Sequence, residues 1–229
     1  MRQRAWVLVG TGRYEDAWHD LPATAYRVAR ELTALDVDVD VRGIRPGSLE
    51  ALGHDGPDLV VVMASVGRTD PEFDGADADW APGHRALAEH VRTGGSLLGL
   101  HAAAMTFRDS PAWDHLLGGR WVEGRSWHPP IERWTVEPDE THPVTAGLKP
   151  FELHDERYTD LEVADGVQPL VWFAADGLRQ PVAWAREGVP EVGRGRVVYD
   201  ALGHGVESYE SHGRRGLLAR ELRWLLRRG

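Results

Sequence analysis

The stretch that decides the fold is residues 94–104, which reads Gly94-Gly95-Ser96-Leu97-Leu98-Gly99-Leu100-His101-Ala102-Ala103-Ala104. Paired glycines end a preceding helix, and the apolar run Ser96–Leu100 is typical of a strand buried on both faces. His101 follows directly at the end of this strand. Because the carboxyl ends of parallel strands face the binding crevice of an α/β sheet, His101 is predicted to lie at a functional edge.

Strands and helices are predicted to alternate upstream of this stretch. Residues 5–9 and 59–63 form apolar runs typical of buried strands, whereas Val37, Val39 and Val41 alternate with aspartates as in a half-exposed edge strand. A helix is expected to begin near Asp20-Pro22 and to carry an apolar face through Leu35. A second helix is expected over residues 83–92. The β-α-β-α-β order predicts a parallel sheet with right-handed crossovers.

The second half of the chain has a different pattern. Four short segments look like strands, at residues 131–136, 167–173, 181–185 and 196–199. They either extend the parallel sheet or form a β-rich excursion from it. Residues 214–228 predict an amphipathic last helix whose arginines, Arg214 among them, form a solvated basic face.

Composition narrows the function classes. The chain has 229 residues, a formal net charge of −10 and no cysteine. These values exclude thiolate catalysis and disfavour nucleic acid as a partner, since backbone binding depends on clustered cations. The apolar run after Arg4 is too short for a signal peptide or a membrane span. We expect one cytoplasmic domain over residues 1–229, with no membrane partner, and homo-oligomer formation is compatible with the sequence.

Four polar residues stand at predicted strand ends or in loops, where a parallel-sheet protein gathers its functional groups: His101, His128, Glu156 and His204. Imidazole nitrogens suit a divalent ion such as zinc, and the expected ligands are His101, His128 and His204. Without a metal, His101 or His204 would act as general base and Glu156 or Asp155 as general acid. Either reading makes His101, Glu156 and His204 the expected catalytic residues.

Aromatic and polar neighbours of these residues are the expected substrate contacts. Two of the ten tryptophans, Trp18 and Trp127, lie in predicted loops next to histidines, where their rings can contact a substrate. We add His19, Asp155 and Tyr158 to the expected substrate-binding set. For Asp155 and Glu156 the alternative is a structural one, in which the adjacent acidic pair caps or braces a loop through hydrogen bonds.

Seven short segments occur along the chain in an order that resembles the ThuA-like (trehalose utilisation) family. The segments that carry the resemblance are residues 14–20, 126–129, 141–148, 154–158, 181–184, 193–199 and 202–204. The resemblance implies a three-layer, flavodoxin-like or glutamine-amidotransferase-like α/β fold, with a mostly parallel central sheet, helices on both faces and a β-rich excursion in the second half. It also implies a role in carbohydrate metabolism.

The resemblance places His101 where cysteine amidotransferases carry their nucleophile, and a histidine cannot form the thioester of glutamine hydrolysis. A serine replacement is disfavoured because Ser65 and Ser126 lack a G-x-S-x-G elbow and Ser96 lies at the wrong strand end. We therefore expect a hydrolase or isomerase acting on a small-molecule sugar or glycoside. The alternative is a non-catalytic sugar-binding or regulatory module on the same fold.

Overall fold

A computed structural model describes residues 2–175 and 177–228. The strands in this part of the chain are β1 (Arg4–Val9), β2 (Asp38–Gly43), β3 (Leu59–Met63), β4 (Ser96–Leu100), β5 (Gly119–Arg120), β6 (Glu132–Pro138), β7 (Phe151–Asp155), β8 (Glu162–Val163), β9 (Gln168–Ala175), β10 (Leu178–Glu187) and β11 (Arg196–Asp200). The α-helices are α1 (Leu21–Ala34), α2 (Pro46–Glu50), α3 (Leu52–Asp55), α4 (Pro71–Asp74), α5 (Asp77–Arg92), α6 (Trp113–Leu117) and α7 (His212–Leu225).

Nine strands form one mixed sheet in the order β2-β1-β3-β4-β11-β10-β9-β6-β7. The first five strands in that order are parallel, and each later neighbour pairs antiparallel. The second half of the chain therefore extends the main sheet, and among the strands of residues 2–175 and 177–228 β5 and β8 pair separately. The α/β fold class predicted from the sequence is confirmed, and β2 is the expected edge strand.

The parallel half of the sheet is covered by two groups of helices. Helices α1 and α7 pack together, while α2, α3 and α6 pack with α5. Strands β3 and β4 are buried at every residue, as their uninterrupted apolar sequences predict. The carboxyl ends of β1, β3, β4 and β11 meet at one edge of the sheet, where the crevice of a doubly wound fold lies.

Two helix predictions need correction. Helix α5 begins at Asp77, six residues before the predicted start, because Pro82 is tolerated inside it and Trp80 packs into the core at 2% exposure. The Trp80 indole also donates to the carbonyl oxygen of Asp74 at 2.7 Å. Helix α7 begins at His212, where the hydroxyl of Ser211 caps it.

The prediction of a solvated face for Arg214 is wrong. Arg214 is fully buried, together with Asp200 and Glu221, and we call these three residues the arginine cluster. Its Nη1 atom lies 2.8 Å from Asp200 Oδ2, and Nη2 donates to the carbonyl oxygen of Leu202 at 3.2 Å. The guanidinium thus neutralises a carboxylate and supports the loop that follows β11.

No helix within residues 2–175 and 177–228 is long and apolar enough to cross a membrane.

Candidate active site

His101 stands at the sharp bend that follows β4. Its backbone φ is +48°, a left-handed conformation that costs energy for a residue with a side chain and that clusters at functional sites. Tyr199, on the neighbouring strand β11, donates its hydroxyl to the carbonyl oxygen of His101 at 2.9 Å. The strand-to-turn geometry therefore holds the imidazole at the carboxyl edge of the sheet, as the sequence predicts.

Four residues converge at this edge, and we call them the histidine cluster: His19, His101, Glu156 and His204. Each offers one donor atom, and these atoms all lie within 4.8 Å of one another. His19 comes from the loop after β1, Glu156 from the residue after β7, and His204 from the loop after β11. The cluster therefore joins parts of the chain that are far apart in sequence.

Hydrogen bonding fixes which nitrogen of His101 is free. Its Nδ1 lies 2.6 Å from the carbonyl oxygen of Ala201, which can only accept, so Nδ1 carries the proton. The lone pair on Nε2 then points at the cluster. The Nδ1 atom of His19 likewise lies 2.7 Å from Asp16 Oδ2, which leaves Nε2 of His19 free. A carbonyl or carboxylate behind each imidazole is the usual outer shell of a metal-binding histidine.

Three lone-pair atoms consequently face one another. His101 Nε2 lies 3.0 Å from His19 Nε2 and 3.3 Å from Glu156 Oε2, and His19 Nε2 lies 3.8 Å from that same oxygen. Glu156 Oε2 is buried and has no hydrogen bond among the described residues. Such an arrangement needs a proton or a cation at its centre. Ligands about 2.0–2.1 Å from a tetrahedral zinc lie roughly 3.4 Å apart, so the spacing fits a zinc-sized ion.

Charges in and behind the cluster also favour a cation. Burial alone would raise the pKa of the Glu156 carboxyl, but the ring nitrogens of His101, His19 and His204, 3.1–3.8 Å from its two oxygens, hold this pKa far below its ordinary value. Burial would also raise the pKa of Asp16, yet His19 and Ser65 lower it to about 2. If a divalent ion replaces the proton on His19, the two ionised carboxylates balance the charge of that ion.

The pKa of His19 is shifted in the opposite direction. Burial opposes its protonation, but hydrogen bonds to Asp16 and Glu156 raise its pKa to about 9. The lowered pKa favours the ionised form of Glu156, which suits the role of ligand or of positioning group.

A cavity of about 700 Å³ opens above the cluster, within the size range of ligand sites. His19, Glu156 and His204 line it, and aromatic rings from Trp18, Trp121 and Tyr158 share the wall. His101 lies just behind this wall, and the Tyr158 hydroxyl reaches its Nε2 atom at 3.1 Å. Burial raises the pKa of the Tyr158 phenol well above its ordinary value, so the hydroxyl keeps its proton and can donate.

The remaining residues predicted from the sequence are distributed around the cluster. His128 lines the cavity at its rim, where its side chain is 38% exposed and its Nδ1 lies 3.6 Å from Glu156 Oε1. The group of converging donor atoms contains His19 in place of the predicted His128. Trp127 lies outside the cavity lining, and its indole donates to Asp160 at 3.1 Å.

Asp155 braces a loop, which is the structural alternative considered for it. Its carboxylate is buried and accepts hydrogen bonds from the backbone of Gly203 and His204 and from the hydroxyl of Ser208, at 2.7–3.0 Å. Asp155 therefore holds the loop that presents His204.

Sequence reasoning missed three components of this site. Asp16 orients His19, and the only local signal was the spacing Asp16-x-x-His19 within one loop. The carbonyl oxygen of Ala201 has no sequence signal, because every residue carries one. Trp121 lines the cavity, packing edge-to-face on Tyr158 with ring centroids 4.8 Å apart, and nothing distinguished it from the other tryptophans.

Fold and site together define an α/β protein with a buried histidine–glutamate centre at the carboxyl edge of a mixed sheet. The chain belongs to the ThuA (trehalose utilisation) family, whose model matches residues 10–225.

Solved structures share this fold. A ThuA-like protein from Parabacteroides merdae ATCC 43184 is 17% identical, with a TM-score of 0.76 over 99% of this chain and 90% of its own. A cytoplasmic protein from Salmonella typhimurium LT2 is 14% identical, with a TM-score of 0.62 over 96% and 99%. A cold-adapted β-galactosidase from Rahnella sp. R3 is 16% identical, with a TM-score of 0.61 over 97% of this chain and 31% of that chain. No curated protein matches the sequence.

Proposed function

We propose that this protein is a cytoplasmic enzyme that hydrolyses or isomerises a small sugar or glycoside, with its reacting centre at the histidine cluster. The observation that carries the proposal is the convergence of three lone-pair atoms, on His19, His101 and Glu156, beneath a cavity with aromatic walls. The description of the family as one of trehalose utilisation supports the substrate class.

The residues of the cluster fit a divalent ion such as zinc, which would be held by His19, His101, Glu156 and His204. When bound, such an ion lowers the pKa of water or polarises a sugar oxygen. The outer partners of His19 and His101, Asp16 and the carbonyl of Ala201, keep the two Nε2 lone pairs turned inward. The protein thus supplies a preorganised site, which costs no reorganisation when substrate arrives.

Groups at the cavity wall supply binding and proton transfer. The exposed ring of Trp18 and the ring of Trp121 offer apolar faces for the C–H surface of a sugar. The neutral Tyr158 hydroxyl can donate a hydrogen bond. His128, at the rim and near Glu156, is placed to exchange a proton with a substrate hydroxyl.

The test is turnover by the purified protein supplied with zinc. Trehalose, its oxidised derivatives and simple glycosides are incubated with wild type, His101→Ala, His204→Ala and His54→Ala, and products are followed by NMR. His54 is exposed on α3, away from the site, and serves as the matched control.

We expect turnover by wild type and by His54→Ala, and none by His101→Ala. Turnover that survives in both His101→Ala and His204→Ala would overturn the assignment. Binding without product in prolonged incubation would instead favour the non-catalytic sugar-binding module.

A further inference from the structure

A second cavity of about 460 Å³ lies beside the main one, and we call it the flanking cavity. The two cavities share Trp18 and His204 in their walls. The far side of the flanking cavity is formed by Ala23, Ile131 and Glu207, among others. A member of the histidine cluster therefore stands where the two cavities meet.

We propose that the flanking cavity binds the second ring of a two-unit glycoside whose first ring occupies the main cavity. The linkage between the two units then lies beside His204 and the indole of Trp18. This inference rests on the proposed function, since it names the substrate class of the same site. It assigns a binding role to residues on α1 and on the loop after β11.

Trp18 is the element that joins the two cavities. Its side chain is 86% exposed, which is unusual for so large an apolar ring. The backbone of Trp18 is nevertheless held, because its N–H donates to Asp16 Oδ1 at 2.6 Å while the other oxygen of Asp16 contacts His19. One carboxylate thus holds both the backbone of Trp18 and a residue of the cluster.

The lining of the flanking cavity selects a neutral, hydroxyl-bearing ring. The exposed acidic groups are Asp20 and Glu207, the imidazole is that of His154, and the lining contains neither lysine nor arginine. Carboxylates accept hydrogen bonds from sugar hydroxyls and repel phosphates and acids. Ile131, 39% exposed, adds a second apolar side chain to the same lining.

The volumes of the two cavities also favour a two-unit ligand. Both cavities fall within the range of about 300–1,000 Å³ that is typical of ligand sites. A single ring bound in the main cavity would leave the flanking cavity filled with water and Trp18 uncovered on that side. A two-unit ligand would cover the Trp18 indole on the side of each cavity and would bury more apolar surface.

The test fills the flanking cavity and leaves the main one open. Ala23 lies in the first turn of α1 and lines only the flanking cavity, so Ala23→Trp blocks it; Ala34→Trp, at an exposed position of the same helix, is the control. Calorimetry measures the affinity of the zinc-supplied protein for trehalose and for methyl glucoside. Glu207→Ala, at an exposed residue without an ion pair among those described, tests the polar contact without risk to folding.

Wild type is expected to bind trehalose more tightly than methyl glucoside. Ala23→Trp should weaken trehalose binding by about tenfold or more, equivalent to roughly 1.4 kcal/mol, and leave methyl glucoside binding unchanged. Glu207→Ala should likewise weaken trehalose binding and leave methyl glucoside binding unchanged. Ala34→Trp should change neither affinity.

Equal wild-type affinity for the two sugars, or losses that affect both sugars alike, would overturn the flanking site and leave the proposed function intact. A wild-type protein that binds neither sugar would overturn both.

Discussion

Two buried groups of charged side chains lie on either side of the loop that follows β11. The arginine cluster is sealed, with Asp200, Arg214 and Glu221 all at 0% exposure. The histidine cluster faces a cavity, and His204 keeps 20% of its side chain exposed. Both clusters contain ionisable groups with strongly shifted pKa values. Burial of charge therefore does not by itself identify a functional site. What distinguishes the histidine cluster is that a ligand can reach it from the cavity.

The chemistry of the two clusters differs as well. A guanidinium is a permanent cation, so Arg214 fills the place between two carboxyls and leaves no room for another cation. Imidazoles are neutral when deprotonated, so the histidine cluster can exchange a proton for a metal ion. We infer that the arginine cluster stabilises the fold and that the histidine cluster serves chemistry.

The largest expected effect on stability is that of Arg214→Met. This change leaves the Asp200 carboxylate buried without its counter-charge, and breaking a buried pair in this way costs about 3–5 kcal/mol. Urea unfolding measures the change. Arg215→Met, at the exposed neighbouring position, should cost no more than about 0.5 kcal/mol. Equal effects of the two changes would contradict the structural role of Arg214.

A second prediction concerns the outer partner of His19. Asp16→Asn removes the charge that holds Nδ1 of His19, and loss of such a partner lowers metal affinity or activity by about 10–100-fold. Competition with a chromogenic zinc chelator measures the affinity. The exposed Asp38→Asn is the control. An Asp16→Asn protein that binds zinc as wild type does would refute the orienting role.

Glu221→Gln should have a smaller effect than Arg214→Met. Burial, together with the nearby Asp200, raises the pKa of Glu221 well above its ordinary value, which favours its protonated form. Glutamine has nearly the shape of a protonated glutamate, so the free energy of unfolding should change by less than about 1 kcal/mol. Asp200→Asn, which weakens the pair with Arg214, should cost more. A larger loss of unfolding free energy in Glu221→Gln than in Asp200→Asn would show that Glu221 carries the charge.

The smallest expected effect is a pH dependence at a third, partly exposed cluster. Burial would raise the pKa of Asp109, but hydrogen bonds from His84 and Tyr14 lower it to about 2. A lowered pKa in the folded state contributes stability above the unfolded value of about 3.9, and this contribution is lost as the pH falls toward about 2.

Unfolding of wild type and Asp109→Asn at pH 6 and pH 3 tests this prediction. The difference in unfolding free energy between the two proteins should shrink at the lower pH. A difference that stays constant or grows would contradict it.

Much of the fold follows from local sequence patterns. The apolar runs at β3 and β4 and the alternation at β2 predict their places in the sheet, because burial on one or both faces dictates residue type directly. Strand β7 was missed, since Phe151–Asp155 is short and has few apolar residues. The first turns of α5, before Pro82, do not follow from the sequence pattern, because a proline usually ends a helix.

The candidate site was predictable only in part. The rule that parallel strands end at a common edge brought His101 and His204 together correctly, and Glu156 joined them. The choice between His19 and His128 depends on how two loops fold over the sheet, which periodicity does not encode. The burial of Arg214 depends on its ion pair with Asp200. Asp200 lies on strand β11, so the apolar periodicity of helix α7 gives no sign of this partner.

The measurement that tests the central claim most directly is zinc binding by wild type, His101→Ala and His128→Ala, followed by elemental analysis after dialysis against buffer containing the metal. We expect one zinc ion per chain in wild type and in His128→Ala, because His128 lies at the cavity rim, and none in His101→Ala. A wild-type chain that retains no zinc, or a His101→Ala chain that retains as much as wild type, would contradict the account.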